Sequence, residues 1–313
     1  MTDALPTVSL LTLCRGREDH LRNLLRGVAR QTRASVEVLI AVMGEAEIAD
    51  LPDPGVPLRQ ILVPGDELPL AAARNAAARA ATGEVLAFLD VDCIPDPAFV
   101  QDHAAAMAGF DGLAMGEVLY LPAGATAGDW SEFPRIGVRH SDRQGAPAGG
   151  FEVCTDYRCF WSLTFAMRRA TFLKTGGFDE AYRGYGAEDT DFGKQLSMAG
   201  VPIAWIAGAR CYHQHHPHHM PPIHHLDSVV RNAQLFEEKW GYRTMGHWLH
   251  AFRLMGLIDD RPREQGGIRI LRQPDEADRR LTGQLPDQPY VNTATVIRAL
   301  EARMAGQGNS IDG

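Results

Sequence analysis

The chain has 313 residues, 45% of them hydrophobic, enough to bury one large core or two modest ones. A formal net charge of −8 argues against a nucleic-acid binder that relies on a broad basic surface. Five cysteines, odd in number and without a Cys-x-x-Cys pair, suggest neither a disulfide scaffold nor a cysteine zinc site, and fit reduced thiols in a cytoplasmic protein. No basic segment followed by an apolar one opens the chain, so no signal peptide is expected. No run approaches the roughly 18 apolar residues of a spanning helix, so no transmembrane segment is expected, while a peripheral membrane contact stays compatible with the sequence.

Thr7 to Leu13 is rich in Val and Leu and reads as a buried strand. Cys14 to Glu18 turns the chain, and Leu21, Leu24, Leu25 and Val28 recur at helical spacing. Val36 to Met43 is a second strand, so the chain opens with a strand–helix–strand unit that implies a parallel sheet and a right-handed crossover. A Pro/Gly-rich loop leads to a third strand at Leu58 to Val63. Pro69 to Ala81 is almost all Ala, with Arg74 and Asn75 inside it, and reads as a helix able to pack close to the sheet. Val85 to Leu89 is a continuous apolar run, and Pro97 to Met107 a further helix.

Beyond that, Leu113 to Leu121 reads as one strand and 122–158 as a long Gly/Pro-rich loop, of a length usually functional or mobile. Phe160 to Met167 and Val201 to Ile206 read as strands; Arg169 to Thr175, Asp189 to Ala199, Asp227 to Trp240 and Val291 to Met304 read as helices. Residues 259–290 show weak periodicity, and 305–313 reads as a frayed end.

The apolar run at 85–89 ends in Asp90-Val91-Asp92. An unpaired charge inside a buried strand is very costly, so both carboxylates are expected at its C-terminal end, where an open α/β sheet presents its ligand crevice. Period 2 points them to the same side, and two hard oxygen ligands there suit Mg²⁺ or Mn²⁺ carrying a diphosphate. The plainer reading is a solvated Asp-Pro turn. Glu188 and Asp189 open a helix, where the macrodipole stabilises carboxylates, and simple N-capping is the alternative. Seven of the twelve histidines fall between His213 and His225, which reads either as a transition-metal tract or as a polar loop.

Three stretches carry a resemblance: Val8 to Arg15 with Ala73-Arg74-Asn75 and Phe88 to Asp92; Gly176-Gly177-Phe178-Asp179-Glu180 with Tyr185 to Phe192; and Trp205 to His213. Together they resemble GT-A glycosyltransferases, family 2 in particular. The aromatic-Gly-x-Glu-Asp stretch is also similar to the beta-1,4-galactosyltransferases. The resemblance covers about residues 6–216. It implies an α/β fold with a Rossmann-like, mostly parallel sheet over 1–216 (a nucleotide-binding half at about 6–110 and an acceptor half at about 111–216), followed by a mainly helical extension over 217–313.

The resemblance further implies a metal-dependent inverting transfer from a nucleotide diphosphate sugar, most often UDP-linked, to a hydroxyl of a carbohydrate or other acceptor. It assigns the Asp-x-Asp metal motif to Asp90 and Asp92, with His213 completing the site and favouring Mn²⁺ over Mg²⁺. Thr12, Arg15 and Arg74 would line the nucleotide pocket, Asp189 would be the general base, and Glu188 would contact sugar or acceptor. Family members often place an acid at the end of the second strand to recognise uracil; here that strand ends Ala41-Val42-Met43-Gly44, and Glu45 and Glu47 follow. The rival readings are a retaining GT-A transferase, a sugar nucleotidyltransferase, and a non-catalytic nucleotide-sugar binding module.

Overall fold

The computed structural model describes residues 4–285 and 287–308, with side chains up to residue 302. The chain forms two compact units. The first comprises Met1–Arg183 and Glu188–His215, the second Gly184–Ala187 and His216–Gly313.

The first unit contains β1 (Val8–Cys14), α1 (Glu18–Val28), β2 (Glu37–Val42), β3 (Leu58–Leu62), α2 (Leu70–Ala80), β4 (Val85–Leu89), β5 (Cys93–Pro95), α3 (Phe99–Gly109), β6 (Leu113–Met115), β7 (Val118–Tyr120), α4 (Phe133–Ile136), β8 (Val138–Arg139), β9 (Phe151–Cys154), β10 (Thr164–Arg168), α5 (Arg169–Lys174), α6 (Glu188–Met198), β11 (Ile203–Ile206) and β12 (Cys211–His213). Eight of these strands form the main sheet in the order β3-β2-β1-β4-β10-β6-β11-β9. β3, β2, β1 and β4 are parallel, β10 runs against β4 and β6, β11 is parallel to β6, and β9 is antiparallel at the edge. The expected mostly parallel α/β sheet is therefore present. A second sheet, β5-β12-β7-β8, stands apart from it.

The composition of α2 explains its place. Ala71, Ala73, Ala77 and Ala78 are fully buried, and their short side chains let the helix lie close over Leu11, Leu39 and Ala41 of the sheet. Phe88, Phe165, Phe172, Phe178 and Phe192 extend the same core, with Phe88 stacked on Phe165 at 4.4 Å between ring centroids and Phe178 on Phe192 at 4.3 Å.

Three expectations need correction. Leu113 to Leu121 is two strands in different sheets, not one. At Gly116, between them, a Cβ would lie 2.0 Å from the carbonyl oxygen of Ala209, so the chain breaks where another backbone passes too close for any side chain. The stretch 122–158 is not a single loop: β8 pairs with β7, and β9 pairs with β11 at the edge of the main sheet. Phe160 to Leu163 lies outside β10, which starts at Thr164.

At the N-terminal ends of the parallel strands, Glu37 ties three elements together. Its carboxylate accepts hydrogen bonds from the Ser9 hydroxyl (2.7 Å), the Thr82 amide (2.6 Å) and hydroxyl (2.7 Å), and the Arg59 guanidinium (2.6 Å). Burial raises its pKa, but the bonds from Thr82, Ser9 and Arg59 outweigh burial and bring it down to about 2.

The second unit holds α7 (Leu226–Trp240), α8 (Gly246–Leu254), a hairpin of β13 (Ile258–Asp260) and β14 (Ile268–Ile270), α9 (Glu276–Thr282) and α10 (Thr293–Gly308). The hairpin and α9 occupy the stretch whose periodicity is weakest in sequence. Of the expected frayed end, 309–313 lies outside the described residues. Among the described residues no helix is long and apolar enough to cross a membrane.

Because Glu37 is ionised in the folded state well below the pH at which a free Glu protonates, its contribution is fully present above about pH 4.5 and is lost as pH falls toward 2. Glu37→Gln should lower unfolding stability at pH 7 by about 2–3 kcal/mol, read from urea denaturation, and the difference from wild type should shrink as the pH is lowered below 4. Equal stability of the two proteins at pH 7 would refute the role assigned to this cluster.

Candidate active site

β4 ends at Leu89, and Asp90 follows with its side chain 27% exposed. The carboxylate faces a buried cation, Arg74 of α2, whose guanidinium lies 3.6 Å from Asp90 Oδ1 and 3.1 Å from Glu188 Oε1. Arg74 is 3% exposed and sits over the ring of Phe178 at 5.1 Å. The next residue, Asn75, closes the turn that carries Phe178. It donates to Phe178 O (2.8 Å), accepts from Phe178 N (2.9 Å) and donates to Glu180 Oε1 (2.9 Å). Gly177 has φ +73°, and a Cβ there would meet Asn75 Oδ1 at 2.4 Å, so this turn tolerates only glycine. The Ala-Arg-Asn stretch and the Gly-Gly-Phe-Asp-Glu stretch are thus two halves of one contact.

Asp92 is 9% exposed. Its Oδ2 accepts from Arg17 at 2.6 Å, and its Oδ1 lies 3.6 Å from His213 Nε2. The small sheet makes that approach. β12 pairs antiparallel with β5, setting His213 opposite Cys93, and the Gln214 amide donates to Asp92 O at 2.7 Å. On its other side β12 pairs with β7, and the ring of Tyr120 stacks on His213 at 4.6 Å.

Glu188 and Asp189 open α6, immediately after Ala187, whose φ of 74° is rare for a residue with a side chain. Glu188 is buried against Arg74. Asp189 is half-buried, and its Oδ1 accepts from the Thr190 amide (2.6 Å) and hydroxyl (3.3 Å). Asp191 is fully buried and accepts from the Tyr182 hydroxyl at 3.1 Å and from Gln195, a structural role.

Crowding of carboxylates around one guanidinium leaves negative charge in excess. Burial, with Asp92 and Glu188 nearby, raises Asp90 to about 7 against the pull of Arg74. Burial and Glu188 raise Asp189 to about 6 against Arg74 and Thr190.

Not every expected residue joins this cluster. Thr12 is fully buried inside β1 and its hydroxyl has no hydrogen-bond partner, so it does not line an open pocket. Arg15 is exposed and donates to Gly65 O and Asp66 O, both at 3.3 Å. Arg15 lines a cleft of about 740 Å³ over the C-terminal ends of β1 and β2, with Met43, Glu45, Glu47 and Gly65 also in its wall. Sequence reading missed Arg17 as the partner of Asp92; its only signal was a second arginine two residues after Arg15. The histidine tract beyond His215 belongs to the second unit. There His219 bonds the Thr282 hydroxyl (3.0 Å) and His225 stacks on Tyr185 (4.8 Å).

A family model described as glycosyl transferase family 2 matches residues 9–172, more than half of the chain. This chain belongs to glycosyl transferase family 2. A second model, described as the N-terminal domain of galactosyltransferase, matches residues 148–219 of this family 2 glycosyltransferase. Among curated relatives, validoxylamine A glucosyltransferase of Streptomyces hygroscopicus subsp. limoneus is 25% identical over 76% of this chain and 58% of its own. Chondroitin synthase of Escherichia coli is 27% identical over 47% of this chain and 25% of its own. The chain therefore spans little more than half of the first relative and a quarter of the second. Among solved structures, residues 1–349 of TarS from S. aureus match at a TM-score of 0.51 and 15% identity, covering 74% of this chain and 65% of that one, which shows the shared GT-A fold.

The Asn75 clamp yields a stability test. Asn75→Asp keeps the acceptor for Phe178 N but replaces the amide donor with a carboxylate facing Phe178 O and Glu180. It should destabilise the protein by about 1–3 kcal/mol in chemical denaturation, because the buried Phe178 carbonyl loses its donor and faces a carboxylate instead. A loss under about 0.5 kcal/mol, the range of ordinary surface changes, would show that the turn holds itself.

Proposed function

We propose that this family 2 glycosyltransferase moves a sugar from a nucleotide diphosphate sugar to an acceptor hydroxyl with inversion, and that it needs a divalent ion, Mn²⁺ before Mg²⁺. The observation that carries the reading is the convergence of Asp92 and His213, 3.6 Å apart, beside Asp90 and the buried Arg74–Glu188 pair. Two ligands each about 2.1 Å from one ion stand roughly 3.0–3.4 Å apart, so the pair fits a divalent cation with little movement. A mixed carboxylate and imidazole donor set favours Mn²⁺ over Mg²⁺. Arg17 already supplies positive charge to the second oxygen of Asp92.

When bound, such an ion neutralises the diphosphate that leaves. The chain's own groups do the rest. Arg74 holds Asp90 and Glu188 in place, and its fixed charge favours a phosphate nearby. Asp189 Oδ1 is occupied by Thr190, and among the described residues Oδ2 has no protein donor, which leaves it to take the acceptor proton. A carboxylate raised to about 6 is a better base than an ordinary Asp and is still ionised at neutral pH. Glu188, held by Arg74, contributes position rather than proton transfer. UDP as the leaving nucleotide is supported by Glu45 and Glu47, which line the 740 Å³ cleft beyond β2 where a base would sit. The glucosyltransferase relative supports a hexose as the transferred group.

Calorimetry of UDP binding tests the metal requirement: affinity should collapse in excess chelator and in Asp92→Asn or His213→Ala, and unchanged affinity in chelator would sink the reading. Asp189→Asn should bind UDP and Mn²⁺ nearly as wild type while losing roughly 10²–10⁴-fold in transfer rate, the usual share of a general base. In the wild type, transfer should decline as pH falls below about 6, where Asp189 takes up its proton. Full activity of Asp189→Asn alongside loss in Glu188→Gln would move the base by one residue.

A further inference from the structure

Arg143, in the stretch between β8 and β9, is only 6% exposed, and both of its terminal guanidinium nitrogens are buried without a hydrogen-bond partner. A buried polar donor left unpaired costs free energy comparable to a lost hydrogen bond, and more when it is charged. Two indoles offset part of this: the guanidinium carbon lies 4.7 Å from the ring centre of Trp205 and 5.3 Å from that of Trp161. A ring face answers the charge but does not accept the in-plane N–H groups, of which a guanidinium has five. The Trp205 indole N–H is likewise buried and unpaired. Two touching side chains therefore present only donors.

Other nearby groups do not satisfy them. Glu117 lies within electrostatic range, but its carboxylate is held by a different arginine, Arg139, at 2.6 and 2.8 Å, and by the Ala146 amide at 3.1 Å. His140, 8% exposed, packs edge-on against Trp161 at 5.3 Å. Its Nδ1 accepts from the Asp142 amide at 3.2 Å. The Tyr120 ring lies 5.7 Å from His140 and 4.6 Å from His213.

We infer that Arg143 receives an oxyanion, a carboxylate or a phosphate, carried by the acceptor. The inference rests on the transferase reading for the word acceptor, but not for the anion. The donor diphosphate has its own charges, Arg74 and Arg17 beside Asp90 and Asp92, whereas Arg143 lies among Tyr120, Cys211, Glu117 and Cys93. A planar guanidinium flanked by two indoles, with both terminal nitrogens unpaired, has the donor geometry for bidentate capture of a planar or tetrahedral oxyanion.

The full chain, with metal removed by chelator, is titrated with inorganic phosphate and with acetate while tryptophan emission is followed, since Trp161 and Trp205 flank the guanidinium. Saturable quenching is expected, weakened roughly 10- to 100-fold in Arg143→Gln, the range for losing a charged hydrogen-bond pair, and less in Arg143→Lys, which keeps the charge. UDP affinity with Mn²⁺ should stay within about twofold of wild type in the Lys variant, and its KM should rise for acidic acceptors and not for neutral ones. Phosphate and acetate binding that is absent in wild type, or equal in wild type and both variants, would leave Arg143 a packing element and overturn the inference. A loss of UDP affinity matching the loss of phosphate affinity would assign the anion to the donor and overturn it too. The anion titration needs neither donor nor turnover, so it can succeed or fail independently of the transferase reading.

Discussion

Arg74, taken out of water, is answered by two carboxylates, and that pairing draws three distant segments to one point. Arg74 of α2 lies between Asp90 at the end of β4 and Glu188 at the start of α6. Breaking such a buried group leaves an uncompensated charge, which is far more costly than the group is stabilising, so its geometry is enforced. Asn75, one residue on, clamps the 177–178 turn, and Phe178 underlies the guanidinium. One turn of helix therefore sets the strand end, the glycine turn and the helix start at once. Asp189 inherits its place from this, since Glu188 is tied to Arg74 and its neighbour at the helix start points elsewhere. Burial, with the neighbouring carboxylates, raises both Asp90 and Asp189.

The small sheet does for Asp92 what α2 does for Asp90. Pairing of β12 with β5 brings His213 to the strand that follows the Asp-x-Asp motif, and pairing with β7 sets Tyr120 against the imidazole. The same sheet continues into β8 and the segment carrying Arg143. The candidate metal pair and the donor-only group around Arg143 are thus built on neighbouring strands of one sheet.

In the second unit, the tetrapeptide Gly184–Ala187 is held by hydrogen bonds and stacking. The Tyr185 amide donates to the Ser228 hydroxyl (3.1 Å), Asn232 donates to Gly186 O (2.9 Å), and the Tyr185 ring stacks on His225 and Trp248. The aromatic-Gly-x part of the motif and the Glu-Asp part that follows it therefore belong to different compact units. His219 and His225 have structural work there, which accounts for part of the histidine tract by packing and hydrogen bonding.

By itself the sequence determined what depends on neighbours along the chain. Apolar runs at 8–13 and 85–89 made strands, alanines at 71–78 made a helix fit to lie close on a sheet, and the abrupt carboxylates at 90 and 92 had to stand at a strand end because charge is expelled from an apolar interior. Only the tertiary structure decided which distant groups meet. It paired Arg17 with Asp92, buried Thr12 inside its strand, split 113–121 at Gly116, and turned part of 122–158 into an edge strand. Those outcomes depend on strand register and on the close approach of backbones far apart in sequence, and no local period encodes either.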